Sequence, residues 1–162
     1  MSNIYFDEVK IPAKNILKRE GFGFIVAMKT LDYARPSVGA GALGTARAAY
    51  EEALKYAQNR VQFGKPIASF QYNAFKLAEM AMEVDAARLM VYRSAWMLDN
   101  NLKASKESAM AKIMATDVAM KVTTDAVQML GGYGYMKEYP VEKMMRDAKL
   151  FQIYEGTNEI QK

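Results

Sequence analysis

Cysteine and histidine are both missing from this chain of 162 residues. Without cysteine the chain forms no disulfide and offers no thiolate nucleophile, and without either residue the usual zinc ligands are gone. The lack of histidine also removes the side chain that serves most often as a general base near neutral pH. We therefore expect no metal site, and any acid–base chemistry must come from carboxylates, lysine or tyrosine.

Long apolar runs and long basic runs are missing as well. No apolar run reaches membrane-spanning length, and the first ten residues, MSNIYFDEVK, resemble neither a secretory signal nor an Arg-rich transit peptide. Basic residues exceed acidic ones by 22 to 18, a net charge of +4, with no basic run of five or more. This pattern disfavours nucleic-acid and membrane partners. We expect a cytoplasmic protein.

The remaining composition and patterning predict one helical domain, because 51% of the residues are apolar and 25% are charged. Residues 4–11, IYFDEVKI, alternate loosely and predict one short strand closed by Pro12. The rest is dominated by segments with helical periodicity: about 24–59, 70–98, 105–130 and a short piece after Pro140. Long helices with short connections predict an all-α fold, an up-down antiparallel four-helix bundle.

The most regular period predicts a buried seam on the second helix. The seam residues recur at alternating steps of four and three: Phe70, Ala74, Leu77, Ala81, Val84, Arg88, Val91, Ala95 and Leu98. Such a heptad-like pattern over about eight turns indicates a helix roughly 40 Å long, with Ser69 as its N-cap. Arg88 is the one charged member, and we expect it to pack against a carboxylate such as Asp125.

The stretch VGAGALGTA contains Gly39, Gly41 and Gly44 in the spacing G-x-G-x-x-G, which is typical of a dinucleotide-binding turn. That turn needs a strand directly before its first glycine, and here the preceding Arg35 and Pro36 break any strand. The spacing therefore predicts a small-residue face within a helix, where a neighbouring helix or ligand can approach closely.

Three other stretches carry residues suited to chemistry, and each has a structural alternative. In QNRVQFGKPI, Arg60 offers a planar cation for phosphate and Phe63 a ring for stacking, or the stretch is a solvated turn. In QMLGGYGY, glycines expose backbone N–H groups to an anion, or they cap a helix. In RDAKLFQIYEGTNEIQ, apolar neighbours desolvate Glu155 and suit it to proton abstraction, or it is an exposed loop carboxylate.

Together and in this order, these stretches resemble the acyl-CoA dehydrogenase family of flavoenzymes. The resemblance runs from FDEVKIP to TNEIQ, includes LDYARPSVGAGALG, NRVQFGKPIASFQ, LGGYGY and EYPVEKMMRDAK, and is nearest to the short- and medium-chain branch with its butyryl-CoA dehydrogenases. It implies that residues 1–13 are the last strand of a middle β-domain. It also implies that residues 14–162 are a C-terminal helical-bundle domain whose final helix is truncated.

The resemblance further implies roles for particular residues. Glu155 matches the family's catalytic base, which removes the α-proton of an acyl-CoA thioester while the β-hydride passes to FAD, and its backbone N–H polarises the thioester carbonyl. Positions that match FAD-binding residues are Arg60, Gln62, Phe63, Gln128, Gly131, Gly132 and Thr157. Positions that match residues near the substrate are Asp32, Arg35, Tyr154 and Gly156. In the family, the segments around Arg60 and Gly131 serve the flavin of a neighbouring subunit.

Two functions of different classes stay open. The first is the C-terminal domain of an FAD-dependent acyl-CoA dehydrogenase, which acts on a short- or medium-chain acyl-CoA, passes electrons to electron-transfer flavoprotein and forms a homodimer or homotetramer. The second is a non-catalytic helical oligomerisation domain that binds no flavin by itself. We expect the fragment alone to be inactive, and the resemblance does not specify the acyl chain.

Overall fold

A computed structural model describes residues 2–162. The helices are α1 Gly23–Asn59, α2 Gln71–Asp99, α3 Ser105–Leu130, α4 Val141–Phe151 and α5 Asn158–Gln161; the strands are β1 Val61–Gln62 and β2 Lys65–Pro66; and 3-10 turns cover Ala13–Asn15, Ile67–Ser69 and Gly131–Tyr135. The predicted all-α bundle is confirmed, because α1, α2 and α3 pack on one another and α4 packs on α1 and α3. No helix in the described part of the chain is long and apolar enough to cross a membrane.

Alanine dominates the contact between α1 and α3. The fully buried alanines of α1 are Ala42, Ala46, Ala49, Ala53 and Ala57, and those of α3 are Ala111, Ala115, Ala119 and Ala126. Their spacing of three and four residues places each set on one face of its helix. Because the side chains are small, the two backbones approach closely, and the contact between these helices is the most extensive in the molecule.

The glycines of the G-x-G-x-x-G spacing lie inside α1, as predicted. A Cβ at Gly39 would lie 3.2 Å from Cγ2 of Val91 and 3.3 Å from the carbonyl oxygen of Ala111. At Gly41 it would meet only the Phe151 ring, at 3.5 Å, and at Gly44 it would find open space. The helical placement is confirmed, but the predicted packing face holds only for Gly39, which lets α1 approach both α2 and α3; Gly41 and Gly44 are exposed.

The predicted seam of α2 is half right. Its members Leu77, Val84 and Val91 are buried. The residues buried between them are Met80, Ala87 and Ser94, so Ala74, Ala81, Arg88 and Ala95 are wrong as seam positions. The residues three and four positions after a buried residue both lie near the same face of a helix. Which of the two is buried depends on the side from which the neighbouring helices approach, and the sequence of the helix does not contain that information.

Of two finer predictions about α2, the carboxylate partner of Arg88 is confirmed in kind but not in the residue named, and the N-cap is wrong. Arg88 pairs with Asp85 at 2.6 Å on the half-exposed side of its own helix. The expected partner, Asp125, instead lies 3.8 Å from Lys76. Ser69 does not cap α2, because it belongs to the preceding 3-10 turn and Phe70 is the residue that precedes the helix. The predicted end of this helix near residue 98 is confirmed, since α2 ends at Asp99.

The strand predicted over residues 4–11 does not form. Its large apolar residues Ile4, Tyr5, Phe6, Val9 and Ile11 are exposed, because a strand needs hydrogen-bonding partners and no described residue pairs with this segment. The strands that do form are β1 and β2, which pair Val61 with Pro66 and Gln62 with Lys65. The division into a β-domain strand over 1–13 and a helical domain over 14–162 stays a prediction.

The first third of α1 extends beyond the bundle. The buried residues of this helix begin at Pro36, and the stretch from Gly23 to Arg35 contains none. A proline inside a helix has no N–H to donate to the carbonyl four residues earlier, which here belongs to Asp32. Asp32 and Arg35 therefore lie where the exposed part of α1 meets the packed part.

Candidate functional site

A surface groove of about 590 Å³ forms where α1 and α3 both end. Its walls come from the last turn of α1, the hairpin, the last turn of α3 and the 3-10 turn that follows it. Five of the seven predicted FAD-binding residues line it together: Arg60, Gln62, Gln128, Gly131 and Gly132. Residues almost seventy positions apart in sequence thus share one cavity, as the resemblance implies for a cofactor site.

Arg60 presents a cation to this groove. It follows the last residue of α1 in an extended conformation, and its N–H still donates to Tyr56 O at 2.8 Å. The centre of its guanidinium lies 5.7 Å from the ring of Tyr133, which itself packs near Tyr56 and Tyr139. No carboxylate among residues 2–162 forms an ion pair with Arg60. An unpaired guanidinium beside aromatic rings suits a ligand that carries both a phosphate and a flat ring.

The floor of the groove depends on glycine. Gly131 ends α3 at φ 61 and ψ −136, a conformation that favours glycine, and its N–H donates to Gln128 O. A Cβ at Gly134 would lie only 2.5 Å from the carbonyl oxygen of Val127. The helix-cap alternative for LGGYGY is therefore correct as a description of the backbone. The same cap shapes the cavity, so the structural role and a binding role are compatible here.

Two predicted cofactor residues lie outside the groove. Phe63 is 92% exposed at the tip of the hairpin, at φ 51, and contacts Phe70 edge-on with ring centroids 6.2 Å apart. Thr157 caps α5, accepting a 3.4 Å hydrogen bond from Ile160 N–H, and lines a separate cavity of about 180 Å³. Their roles as FAD ligands stay predictions.

The Glu155 turn, residues 154–158, connects α4 to α5 and has positive φ at two consecutive residues, of which Glu155 is the strained one. Glu155 has φ 54 and Gly156 has φ 94, and positive values are uncommon for a side chain as long as glutamate. Glu155 is half-buried, and its Oε2 is buried with no hydrogen-bond partner among the described residues. The exposed-carboxylate alternative is therefore wrong, and this buried oxygen is left without a hydrogen-bond partner in the described chain.

Tyr154 supplies the apolar side of this turn. Its ring lies 5.8 Å from that of Phe151. Burial raises the pKa of the Tyr154 hydroxyl, and the charge of Glu155 raises it further. The backbone N–H of Glu155 takes part in none of the hydrogen bonds within residues 2–162. Glu155 therefore offers a backbone N–H that can donate to a carbonyl oxygen and a carboxylate oxygen that can accept a proton.

A network of buried polar side chains holds the turn from below, and the sequence analysis missed it. Lys112 on α3 is completely buried, and its Nζ donates to Gly156 O at 2.9 Å and to Asn158 Oδ1 at 2.7 Å. Asn158 Nδ2 donates to Thr116 Oγ1 at 2.9 Å and to Asp117 Oδ1 at 2.7 Å. Lys112 lies on the same inward face of α3 as Ser108, Ala115 and Ala119. A lysine at a position of the sequence whose helical neighbours are small, buried residues is the signal that could have revealed the network.

Asp32 and Arg35 form a second polar cluster. Arg35 Nη1 lies 2.8 Å from Asp32 Oδ1, and Ser105 Oγ donates to Asp32 Oδ2 at 2.6 Å. Arg35 Nε is buried and has no hydrogen-bond partner in the described part of the chain. Besides burial, which lowers the pKa of Lys112 most, the cation of Arg35 lowers this pKa and the charge of Glu155 raises it.

The groove and the Glu155 turn are not one cavity within a single chain. Gln128 at the groove and Lys112 under the turn are sixteen residues apart on α3, which corresponds to about 24 Å along the helix axis. The two sets of predicted residues therefore lie at opposite ends of α3. One chain alone does not bring the predicted flavin phosphate ligands to the predicted base.

Comparison with known proteins gives the family. Residues 21–162 match the family described as acyl-CoA dehydrogenase, C-terminal domain. The chain belongs to the acyl-CoA dehydrogenase family. It is 54% identical over 158 residues to a short-chain specific acyl-CoA dehydrogenase of Megasphaera elsdenii, with 98% of this chain covered. The structure of butyryl-CoA dehydrogenase from the same organism superposes on 96% of this chain with a TM-score of 0.95 and 54% identity.

A third relative is the CarC subunit of a caffeyl-CoA reductase–Etf complex from Acetobacterium woodii, 48% identical over 160 residues, or 99% of this chain and 42% of the relative. The chain spans 41% of the length of both the M. elsdenii protein and its solved structure. The match thus covers the C-terminal helical part of proteins more than twice as long as this chain.

Proposed function

We propose that this chain is the C-terminal domain of an FAD-dependent acyl-CoA dehydrogenase that introduces an α,β double bond into a short- or medium-chain acyl-CoA. The observation that supports this most strongly is the Glu155 turn: a half-buried carboxylate has one oxygen without a partner, on a left-handed backbone, in a member of this family. The names of the most similar relatives support the substrate class.

Glu155 acts as the base in this proposal. Its carboxylate accepts the proton from the carbon α to the thioester carbonyl, and its free backbone N–H donates to the carbonyl oxygen where negative charge develops. The α C–H is a very weak acid, so removal of the proton needs both groups. Gly156 gives the chain the sharp path that exposes this N–H, and Tyr154, Asp32 and Arg35 contribute to the substrate side of the site.

The residues of the groove fit FAD, because an unpaired guanidinium and an aromatic wall match a diphosphate joined to flat rings. Arg60, Gln62, Gln128, Gly131 and Gly132 would hold the cofactor there, with Phe63 and Thr157 as outlying contacts. Bound FAD would supply the acceptor for the β-hydride.

Since the groove and Glu155 lie about 24 Å apart along α3, we propose a homodimer or homotetramer in which one subunit's groove serves the partner's flavin. Electron-transfer flavoprotein is the proposed electron acceptor, on the precedent of the Etf complex of the A. woodii relative.

A second candidate is a non-catalytic oligomerisation domain that binds no flavin by itself. The observation that favours it is a stripe of large apolar residues on the outer face of α2, each more than half exposed: Tyr72, Phe75, Met82, Leu89, Tyr92 and Trp96. Such a face usually packs against another surface. Titration of the purified chain with FAD, followed by gel filtration and visible absorbance, separates the two candidates. Flavin that coelutes with the chain favours the first, and a flavin-free oligomer favours the second.

The experiment that tests the catalytic assignment replaces Glu155 with Gln in the full-length protein. Glutamine keeps the size of the side chain and removes the base, so we expect loss of butyryl-CoA dehydrogenation with normal FAD content. Glu159→Gln is the matched control, since Glu159 is an exposed carboxylate four residues further along, and we expect nearly normal turnover. Wild-type turnover of Glu155→Gln would overturn the assignment.

A further inference from the structure

Among residues 2–162, Lys112 is the one fully buried charged side chain, and the proposed chemistry does not use it. It lies on the inner face of α3 and is completely buried. Burial lowers the pKa of its ammonium group, the carboxylates of Asp117, Glu159 and Glu155 raise it, and the cation of Arg35 lowers it further. Lysine is rarely buried completely unless its charge is paired. A methionine would fill a similar volume without the free-energy cost of burying a charge, so the ammonium group is expected to have a specific role.

The reason lies in what the ammonium group holds. Two of its three donors reach across from α3 to the Glu155 turn, one to Gly156 O at 2.9 Å and one to Asn158 Oδ1 at 2.7 Å. The Gly156 carbonyl belongs to the second of the two residues with positive φ. Asn158 is the first residue of α5 and is itself 5% exposed. Lys112 therefore fixes both ends of the short segment that follows Glu155.

The opposite side of the turn is fixed less firmly. Gln161 Nε2 approaches Glu155 O at 3.2 Å and Gly156 O at 3.3 Å, both long for hydrogen bonds. Gln161 is also a flexible side chain in the last turn of a four-residue helix. Of the two groups that bind the Gly156 carbonyl, Lys112 is the shorter contact, carries a charge and is anchored on a long helix.

We propose that Lys112 is a positioning residue for Glu155: its buried ammonium group holds the Gly156 carbonyl and the Asn158 side chain, and so keeps the strained backbone that places the carboxylate and the free N–H of Glu155 together. The catalytic consequence rests on the proposed function. The structural consequence, an ordered turn at residues 154–158, does not depend on it.

The test compares Lys112→Met with Lys121→Met in the full-length protein. Lys121 is a matched control, because it is an exposed lysine on the same helix that pairs with Glu83 of α2, far from the turn. The first readout is amide hydrogen exchange. Within the turn the amides of Tyr154 and Asn158 donate to Leu150 O at 3.2 Å and to Gln152 O at 3.1 Å. We expect these two amides to exchange at least tenfold faster in Lys112→Met, because each lost charge-assisted hydrogen bond corresponds to about that factor, with α3 itself unchanged.

The second readout separates positioning from general stability. For butyryl-CoA oxidation we expect kcat of Lys112→Met to fall about tenfold, while KM and FAD content stay near those of the wild type. Unchanged exchange at 154–158, or equally faster exchange along the whole of α3, would overturn the inference. So would a KM increase with normal kcat.

A third variant keeps the inference testable if Lys112→Met does not fold. Asn158→Ala removes the second anchor of the same ammonium group, and we expect it to speed exchange at 154–158 as well. Normal exchange in that variant would contradict the proposed arrangement. If the wild-type protein oxidises no acyl-CoA, the proposed function fails, and the exchange comparison still decides the role of Lys112.

Discussion

The groove and the Glu155 turn lie at opposite ends of α3 and are built in opposite ways. The groove is shaped by backbone: a glycine cap, a tight hairpin and the ends of two helices, with its polar side chains exposed. The turn is shaped by side chains: a buried lysine, asparagine and threonine hold a backbone that would otherwise relax. Substitutions should therefore damage the groove where they add atoms to its backbone, and damage the turn where they remove polar groups beneath it.

The largest effect is expected in the 3-10 turn beside the groove, where Gly134 packs against α3 and leaves no room for an extra atom. In Gly134→Ala the new Cβ would lie 2.5 Å from Val127 O, so the backbone must move. We expect the free energy of unfolding to fall by about 2 kcal/mol, measured by urea denaturation of the chain. Gly132→Ala is the control in the same turn, since its Cβ would meet nothing within 4 Å. Equal losses in both variants would mean that the groove is not limited by backbone packing.

A smaller effect, on binding and not on stability, is expected for Arg60→Ala. The arginine is exposed and unpaired, so its removal leaves the fold intact and takes one phosphate partner from the groove. We expect the Kd for FAD of the full-length protein to rise about tenfold, measured by flavin fluorescence. The control Arg47→Ala removes an exposed arginine within α1, one that pairs with Glu51 at 3.3 Å, and should leave the Kd unchanged. Unchanged affinity in Arg60→Ala would return Arg60 to the role of a solvated turn residue.

The smallest effect is expected from removing one hydroxyl under the Glu155 turn. Thr116→Val keeps the shape of the side chain and deletes the hydroxyl that bonds Lys112 O at 2.8 Å and faces Asn158. We expect a loss of about 1 kcal/mol in unfolding free energy. Thr124→Val is matched closely, because Thr124 makes the same kind of bond, to Met120 O at 2.7 Å, on the exposed side of α3. A loss as large in Thr124→Val would show that the buried network adds nothing.

The same contrast explains what the sequence could reveal. The helices were predictable, because helical period and turn glycines are local signals carried by consecutive residues, whereas the members of the groove were assigned from the resemblance to the acyl-CoA dehydrogenase family. The strand at residues 4–11 was wrong because its partner is not in the described chain. The face of α2 was half wrong because Met80 and Ala81 fit a heptad equally well. Lys112 escaped attention because its partners, Gly156 and Asn158, are more than forty residues away, and only the packed bundle brings them to it.

The proline inside α1 has a consequence for how that helix melts. Beyond Pro36, buried alanines tie α1 to the rest of the bundle, so this part unfolds with the whole core. Before Pro36, residues 23–35 contain no buried residue, and the proline removes one main-chain hydrogen bond at the junction. Although α1 is one continuous helix, its parts before and after Pro36 are therefore expected to unfold as two separate cooperative units. Asp32 lies at the boundary between them, where its hydrogen bond from Ser105 Oγ at 2.6 Å ties the end of the outer unit to the start of α3.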